Sequence, residues 1–292
     1  MNDSALPKRT DMRHLERLRV RWVEVDMQQI VFNSHYLMYF DTAIAGYWRA
    51  LALPYHDTMA ALGGDLFVRK ATLEYLGSAR YDDQLEIGIR CARVGSSSML
   101  LHGSVFRGDR CLVHGELVYV FADPATQTAK PIPASLRDTL TQFEAGGSMV
   151  EVRCGDWRAL GAQAGAIRTE VFVLEQGIAA SLEHDAADAD AVHAVAFNRL
   201  GRALGTARLL AMAEGVGKIG RLAVLASIRG ARVGRWLLDA LVDAARARGD
   251  VRVILHAQAS AVSFYRQAGF TEHGAAFVEA GIQHQEMVLT LR

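Results

Sequence analysis

Residues 222–238 read LAVLASIRGARVGRWLL, an apolar strand, then a loop rich in Arg and Gly that runs directly into a helix. The first turn of a helix leaves backbone amides without intrahelical partners, and the aligned peptide dipoles make that end attractive to anions. Gly230 and Gly234 let a ligand approach the backbone closely, and Arg229, Arg232 and Arg235 add positive charge. A pyrophosphate suits this loop. So does the plainer reading of a basic loop that starts a helix, and the segment alone does not separate the two.

Working outward, VGRWLLDALVDAARARG spaces Leu237, Leu238, Leu241, Val242 and Ala245 along one helical face and stops at Gly249. Upstream, MVEVRC, AVHAVAFN, RALGTARLLAM and KIGRLAVL alternate as strands, and RALGAQAGAIRTEVFVL is helical in pattern. Downstream, VRVILHA is a strand and ASAVSFYRQAGF a short helix ended by Gly269. The order is mixed, with a β-α-β-α finish. The segments RTEVFVLEQGI, KIGRLAV, RGARVGRWLL, LHAQASAVSFYRQAGF and GIQHQEMVL occur in that order. Together they resemble the GNAT acyltransferases, especially the small ElaA-like branch, over essentially the whole second half.

That resemblance implies a GNAT fold that binds a coenzyme A thioester, with acetyl-CoA as donor and an amine as acceptor. It assigns the coenzyme A pyrophosphate to the loop Arg229, Gly230, Ala231, Arg232, Val233, Gly234 and Arg235. It gives the acyl carbonyl and the pantetheine arm to the backbone of Leu222, Ala223 and Val224, an oxyanion arrangement. Arg232 stands where the family's loop has its middle glycine. Tyr265 matches the tyrosine that protonates the departing thiolate, a role open to a phenol held near sulfur; the alternative is that Tyr265 and Phe264 only pack their helix on the sheet. For the base, Glu175, Glu183, Asp185, His193 and His256 are all candidates, as is water. The acidic stretch LEHDAADADA reads as a solvated loop that also favours a cationic acceptor. Arg168 and Arg208 either position substrate or form ion pairs.

In the first half, LRVRWVEV places Leu18, Val20 and Trp22 on one parity, and SHYLMYFDTAIAGYWRAL puts Tyr36, Phe40, Ala43, Tyr47 and Leu51 at helical spacing. FVRKATLEYL, QLEIGIRCARV, SSMLLHGSVF and LVHGELVYVF follow as antiparallel strands between turns. One long helix beside four or five strands is an α+β unit with the sheet wrapped on the helix. Asp26 lies on the loop that enters the helix near Asn33, and a carboxylate beside free amides can attack a thioester or activate water toward it. Taken alone, Asp26 is equally a turn or capping residue.

The pattern D-x-x-x-I-V-F-N-x-x-Y-L-x-Y-F-D at residues 26–41, followed by FVRKATLEYLGSARYDDQLEIGIRCARVG and VYVFADPATQTAKPIP, resembles the hotdog-fold acyl-CoA thioesterases of the 4-hydroxybenzoyl-CoA and YbgC type from about Leu18 to Pro133. The resemblance implies Asp26 as the catalytic carboxylate and a carbonyl-binding amide near Asn33. Gln29 stands where the family has glycine, and Asn33 where the YbgC branch has histidine. His35 either contributes or caps the helix. Hotdog domains pair side by side, so a homodimer or homotetramer is implied. His102, His114 and Tyr119 read as sheet residues.

The expected organisation is a hotdog domain over 1–140, a linker over 141–148 where DTLTQFEAGGSM gives way to Gly146 and Gly147, and a GNAT domain over 149–292. Lys and Arg total 32 against 32 Asp and Glu, so no global field draws nucleic acid or an anionic membrane. The three cysteines, Cys91, Cys111 and Cys154, form neither a disulfide framework nor a zinc pattern. No metal is expected. MNDSALPKRTDMRHLER lacks a signal peptide's apolar middle and no long apolar run follows, which points to the cytoplasm. The leading reading is a bifunctional coenzyme A thioester enzyme, hydrolase then acyltransferase. Its rivals are a first half that only binds acyl-CoA and oligomerises, and a second half that only senses acetyl-CoA.

Overall fold

The computed structural model describes residues 6–183, 185–279 and 281–291; the first residues of the polar start, and His184 of the acidic stretch, lie outside the described residues. The chain divides into two compact units, Met1–Met149 and Val150–Arg292.

The first unit contains β1 (His14–Arg19), α1 (His35–Ala50), α2 (Tyr55–Leu62), β2 (Asp65–Tyr75), β3 (Gln84–Val94), β4 (Ser98–Arg107), β5 (Arg110–Ala122) and α3 (Ala134–Glu144). Its five strands form one antiparallel sheet in the order β1-β3-β4-β5-β2. The five residues expected on the inner face of α1 are all buried, with Phe40, Ala43, Tyr47 and Leu51 at 0% exposure. Small residues let the helix sit close: a Cβ at Gly103 would lie 2.7 Å from the Phe40 ring, and one at Gly115 3.0 Å from it. This is the sheet wrapped on a helix that the pattern implied.

One expected strand is shorter than the alternation suggested. β1 stops at Arg19, and Trp22–Glu24 form a 3-10 turn. The cause is Glu24, which is buried and accepts from the Arg21 amide at 2.7 Å and the Tyr39 hydroxyl at 2.8 Å, turning the chain toward α1. α3 is tied to this unit through Glu144, which accepts from the Tyr47 hydroxyl at 2.6 Å and the Cys91 amide at 2.7 Å. Residues 141–144, read from the sequence as the start of a linker, are therefore the last turn of a docked helix.

The second unit contains β6 (Val150–Gly155), α4 (Trp157–Arg168), α5 (Ala180–Glu183), β7 (Val192–Asn198), β8 (Ala203–Ala213), β9 (Val216–Val224), α6 (Val233–Arg248), β10 (Arg252–Gln258), α7 (Val262–Gln267), β11 (Thr271–Glu279) and β12 (Ile282–Thr290). The seven strands run in the order β11-β12-β10-β9-β8-β7-β6. All neighbours are antiparallel except β9 and β10, joined by the crossover through α6. The inward face read for α6 is buried at every named position, and Gly249 closes it at φ 91°. α4 continues as a π-helical stretch over Thr169–Glu175, a distortion that often marks a functional site. The β11–β12 hairpin extends the sheet beyond the expected β-α-β-α finish.

Among the described residues no helix is long and apolar enough to cross a membrane. Cys91, Cys111 and Cys154 are free thiols.

Candidate active sites in the two units

In the second unit, β9 and β10 pair in parallel only from Arg252↔Val216 to Leu255↔Ile219. Beyond Ile219, β9 keeps β8 on one side, with Thr206↔Ala223 and Gly205↔Val224, and has no strand on the other among the described residues. The edge left by this splay carries Leu222, Ala223 and Val224. A bulge in the β8 pairing between Thr206 and Arg208 and a left-handed Arg221 at φ 53° accompany it.

The loop after β9 supplies the second feature. Arg229, Ala231, Arg235 and Trp236 donate their amides to nearby carbonyls. The amides of Gly230, Arg232, Val233 and Gly234 have no partner among the described residues. Four open amides at the start of a 16-residue helix make an anion cradle. Gly230 at φ 86° turns the chain, and Arg232 adopts φ 64°, a left-handed conformation in a residue with a side chain. The three arginines differ. Arg229 makes a bidentate pair with Glu175 at 2.6 and 2.7 Å and donates to the Val224 carbonyl. Arg235 pairs with Asp239 at 2.9 Å, whereas the Arg232 guanidinium has no ionic or hydrogen-bond partner among the described residues, its carbonyl accepting from the Arg235 and Trp236 amides. Ala231 sits within the loop, and Val233 is buried under it.

A cavity of about 540 Å³ adjoins the splay and is lined by Gly220, Arg221, Leu222, His256, Phe264 and Tyr265, among others. Tyr265 is buried, packed edge-to-face against Phe264 and Phe270, and burial pushes its phenol up to about 12. It therefore carries its proton at neutral pH and can give it to a thiolate.

The base candidates separate by their partners. Glu175 is held by Arg229. Arg168, at 1% exposure, pairs with Glu183 and with Asp188 at 2.8 Å. Arg208 bonds Asp185 and Asp188, each at 2.7 Å, and Arg221 adds a bond to Asp185 at 3.1 Å. Glu183, Asp185 and Asp188 form one ionic network with these arginines rather than a solvated loop, because the fold buries the guanidiniums of Arg168 and Arg208 and each needs counter-charge, while Asp190 stays exposed. His193 is buried against Trp157 with Nε2 on the Asp188 carbonyl at 2.9 Å; burial lowers its pKa and keeps it neutral. His256 differs: it lines the cavity, and its Nδ1 lies 3.0 Å from Glu279. Glu279 had no signal in the sequence, since it reaches His256 from a strand 23 positions away.

In the first unit, Asp26 heads a tight turn. Its backbone amide donates to the Ile30 carbonyl at 2.9 Å, and its Oδ1 accepts from the Gln28 amide at 2.8 Å. Oδ2 makes no hydrogen bond with a described residue. Gln29 holds the turn at φ 60°. Val25 and Val31 bridge across it, which sets the start of α1 beside Asp26. The Asn33 amide has no partner among the described residues, while the Asn33 carbonyl accepts from the Tyr75 hydroxyl at 3.3 Å. A carboxylate oxygen and an open amide thus sit at one helix entrance. His35 packs on Phe32, and its buried Nδ1 has no partner. His102 and His114 lie on β4 and β5 with rings 5.4 Å apart, away from Asp26 in sequence and topology.

The family described as "Acetyltransferase (GNAT) domain" matches residues 158–291, and the "Thioesterase superfamily" matches residues 28–118. The uncharacterized N-acetyltransferase YjcF of Bacillus subtilis is 37% identical over 123 residues, which cover 42% of this chain and 86% of that protein. An Aquifex aeolicus protein named provisionally as an esterase is 30% identical over 34% of this chain and 76% of its own length. The chain belongs to both families. The acyl-CoA thioester hydrolase YbgC of Escherichia coli is 25% identical to the thioesterase unit over 89% of its length. Both units fall in enzyme families whose substrates are coenzyme A thioesters, so an idle first unit and a sensing second unit are not favoured. Among the described residues no three His, Cys, Asp or Glu side chains converge as a metal site in either unit.

Proposed function

We propose that the thioesterase unit, within 1–140, hydrolyses an acyl-CoA while the acetyltransferase unit, within 149–292, transfers an acetyl or related acyl group from coenzyme A to an amine. The observation that carries the second activity is the set of open amides at Gly230, Arg232, Val233 and Gly234 beside the β9 splay. These amides take the pyrophosphate, with charge from Arg229, Arg232 and Arg235. The freed edge at Leu222–Val224 takes the pantetheine arm and polarises the acyl carbonyl. Attack by the amine forms the C–N bond, the C–S bond breaks, and Tyr265 protonates the thiolate.

For the first unit, the Asn33 amide polarises the thioester carbonyl, and Asp26 either attacks it or takes a proton from the water that does. The open Oδ2 of Asp26 and the open amide of Asn33 support that division of labour. The unit works as a homodimer or homotetramer. Trp22, Val23, Met27, Phe32, Met38 and Tyr75 are all exposed, and Met27 is fully so. They flank Asp26 on segments joined by the Trp22–Tyr81 contact and the Tyr75–Asn33 bond, a grouping that a neighbouring subunit would cover. β2 is an unpaired edge of 11 residues. Free thiols in a chain without a disulfide fit a cytoplasmic location. The test is thiol release from a series of acyl-CoAs with and without amines. Hydrolysis that persists unchanged in Asp26→Asn removes the first assignment; no amine in a broad panel accelerating release removes the second.

A further inference from the structure

Outside the ionic network, the cavity beside Tyr265 is lined by Lys218, by His284 with Nδ1 on the Ile282 carbonyl, and by one histidine paired with a carboxylate. His256, on β10, lines it, and Nδ1 lies 3.0 Å from Glu279 Oε2 on β11. The ring also packs edge-to-face on Phe277 at 4.9 Å. Nε2 has no hydrogen bond with a described residue; its nearest carboxylate is Glu286 of β12 at 3.9 Å, and Glu286 bonds His273 at 2.8 Å. Other charged or titratable groups facing the pair are Lys218 of β9 and His284 of β12, both close enough to help hold Glu279 ionised. A carboxylate on Nδ1–H fixes the tautomer that leaves the Nε2 lone pair outward and stabilises the imidazolium formed when Nε2 takes a proton.

The same cavity limits the acceptor. Glu183 and Asp185 line it but are bonded to Arg168, Arg208 and Arg221, and Glu279 is engaged by His256, so no lining carboxylate stands open for a second cation. Phe172, Ile178, Leu182, Leu210 and Phe264 supply apolar wall among Gln176, Gln258 and His284, and Arg208, Lys218 and Arg221 add positive charge that a second cation on the acceptor would meet.

We infer that His256, oriented by Glu279, is the base of the transfer reaction, and that the acceptor is a primary amine on an apolar body rather than a polyamine. The inference rests on the acyltransferase reading. The ammonium gives a proton to Nε2, and the freed lone pair forms the C–N bond to the thioester carbonyl carbon. The C–S bond breaks, the thiolate takes the Tyr265 proton, and the remaining N–H proton restores the phenol. The products are an amide, the coenzyme A thiol and one proton released from His256.

The full chain is assayed for thiol release from acetyl-CoA with benzylamine, spermidine and hydroxylamine across pH, alongside coenzyme A affinity as a check on folding. Wild type shows benzylamine-dependent release that rises on the acidic side of its profile, with higher kcat/KM for benzylamine than for spermidine. His256→Gln lowers kcat for benzylamine by about 10²–10³-fold, as loss of a general base does, and flattens that limb. It leaves coenzyme A affinity unchanged and spares hydroxylamine, which is already uncharged. Glu279→Gln lowers kcat less and leaves coenzyme A affinity unchanged, because the lost carboxylate no longer fixes the Nδ1–H tautomer that presents Nε2 to the acceptor. Wild type without amine-dependent release overturns the acyltransferase reading itself. Wild-type transfer with an unchanged rate and limb in His256→Gln overturns only the base. Spermidine outperforming benzylamine overturns the acceptor class.

Discussion

Arg232 and Gln29, at positions that the two resemblances would fill with glycine, both hold the left-handed backbone that a glycine would supply, at φ 64° and 60°. The local geometry of each site is kept at the cost of strain, about 1 kcal/mol for a residue with a Cβ in that region. Arg232→Gly is expected to stabilise the unit by up to about 1 kcal/mol in denaturant unfolding, while weakening coenzyme A binding because an unpaired guanidinium leaves the cradle. Unchanged affinity would mean that the open amides hold the phosphate alone. Tyr265→Phe removes the proton donor and keeps the ring that packs on Phe264 and Phe270. It is expected to lower kcat for transfer by about 10²-fold or more with little change in KM. The sequence pointed to Arg232, Gln29 and Tyr265. It could not say that Arg232 and Gln29 adopt a left-handed backbone, since φ is set by the closing of the loop and not by the residue found there.

At the scale of elements, the segment from α5 to β7 is decided by charges that the sequence left open. Arg168 and Arg208 are buried, and Glu183, Asp185 and Asp188 compensate them. Removing one partner strands a buried charge, so Arg168→Ala should cost about 3–5 kcal/mol in the unfolding free energy of the second unit. The network also sets an acid limit. Hydrogen bonds from Arg208 lower Asp185 to about 2, and those from Arg168 and Arg208 lower Asp188 against its burial. Both are depressed in the folded chain, so their stabilisation is present above the ordinary carboxylate pKa of about 4. It is lost as pH falls from there toward about 2. The denaturant midpoint should fall through that window, and Asp185→Asn should flatten the fall; an equally steep fall would place the acid-sensitive groups elsewhere. Periodicity found α6 because it buries one face, and apolar runs between glycine turns found β6 to β10, whereas β11, exposed over most of its length, carried no such mark. The splay of β9 from β10 and the π-helical stretch after α4 carry no periodic mark, since both arise where regular pairing stops.

Across the whole molecule, two compact units carry the two proposed sites, each resting on one physical device, open amides at a helix start together with a group proposed to handle protons. In the first the proposed group is Asp26, before α1; in the second it is Tyr265, which lines the cavity beside the β9 splay. The division was legible in the ordered motifs and in Gly146 and Gly147, although the docking of α3 through Glu144 was not, because its partners Tyr47 and Cys91 lie far away in the chain. Exposed apolar side chains around Asp26 lead to the expectation of a dimer or tetramer by light scattering, with Met27→Lys shifting the population toward monomer and lowering hydrolysis together. The most direct measurement is thiol release by the full-length protein with and without benzylamine, in wild type, Asp26→Asn and Tyr265→Phe. Two independent coenzyme A sites require Asp26→Asn to abolish only the amine-independent release and Tyr265→Phe only the amine-dependent part. Loss of both activities in either variant, or of neither, would contradict the account.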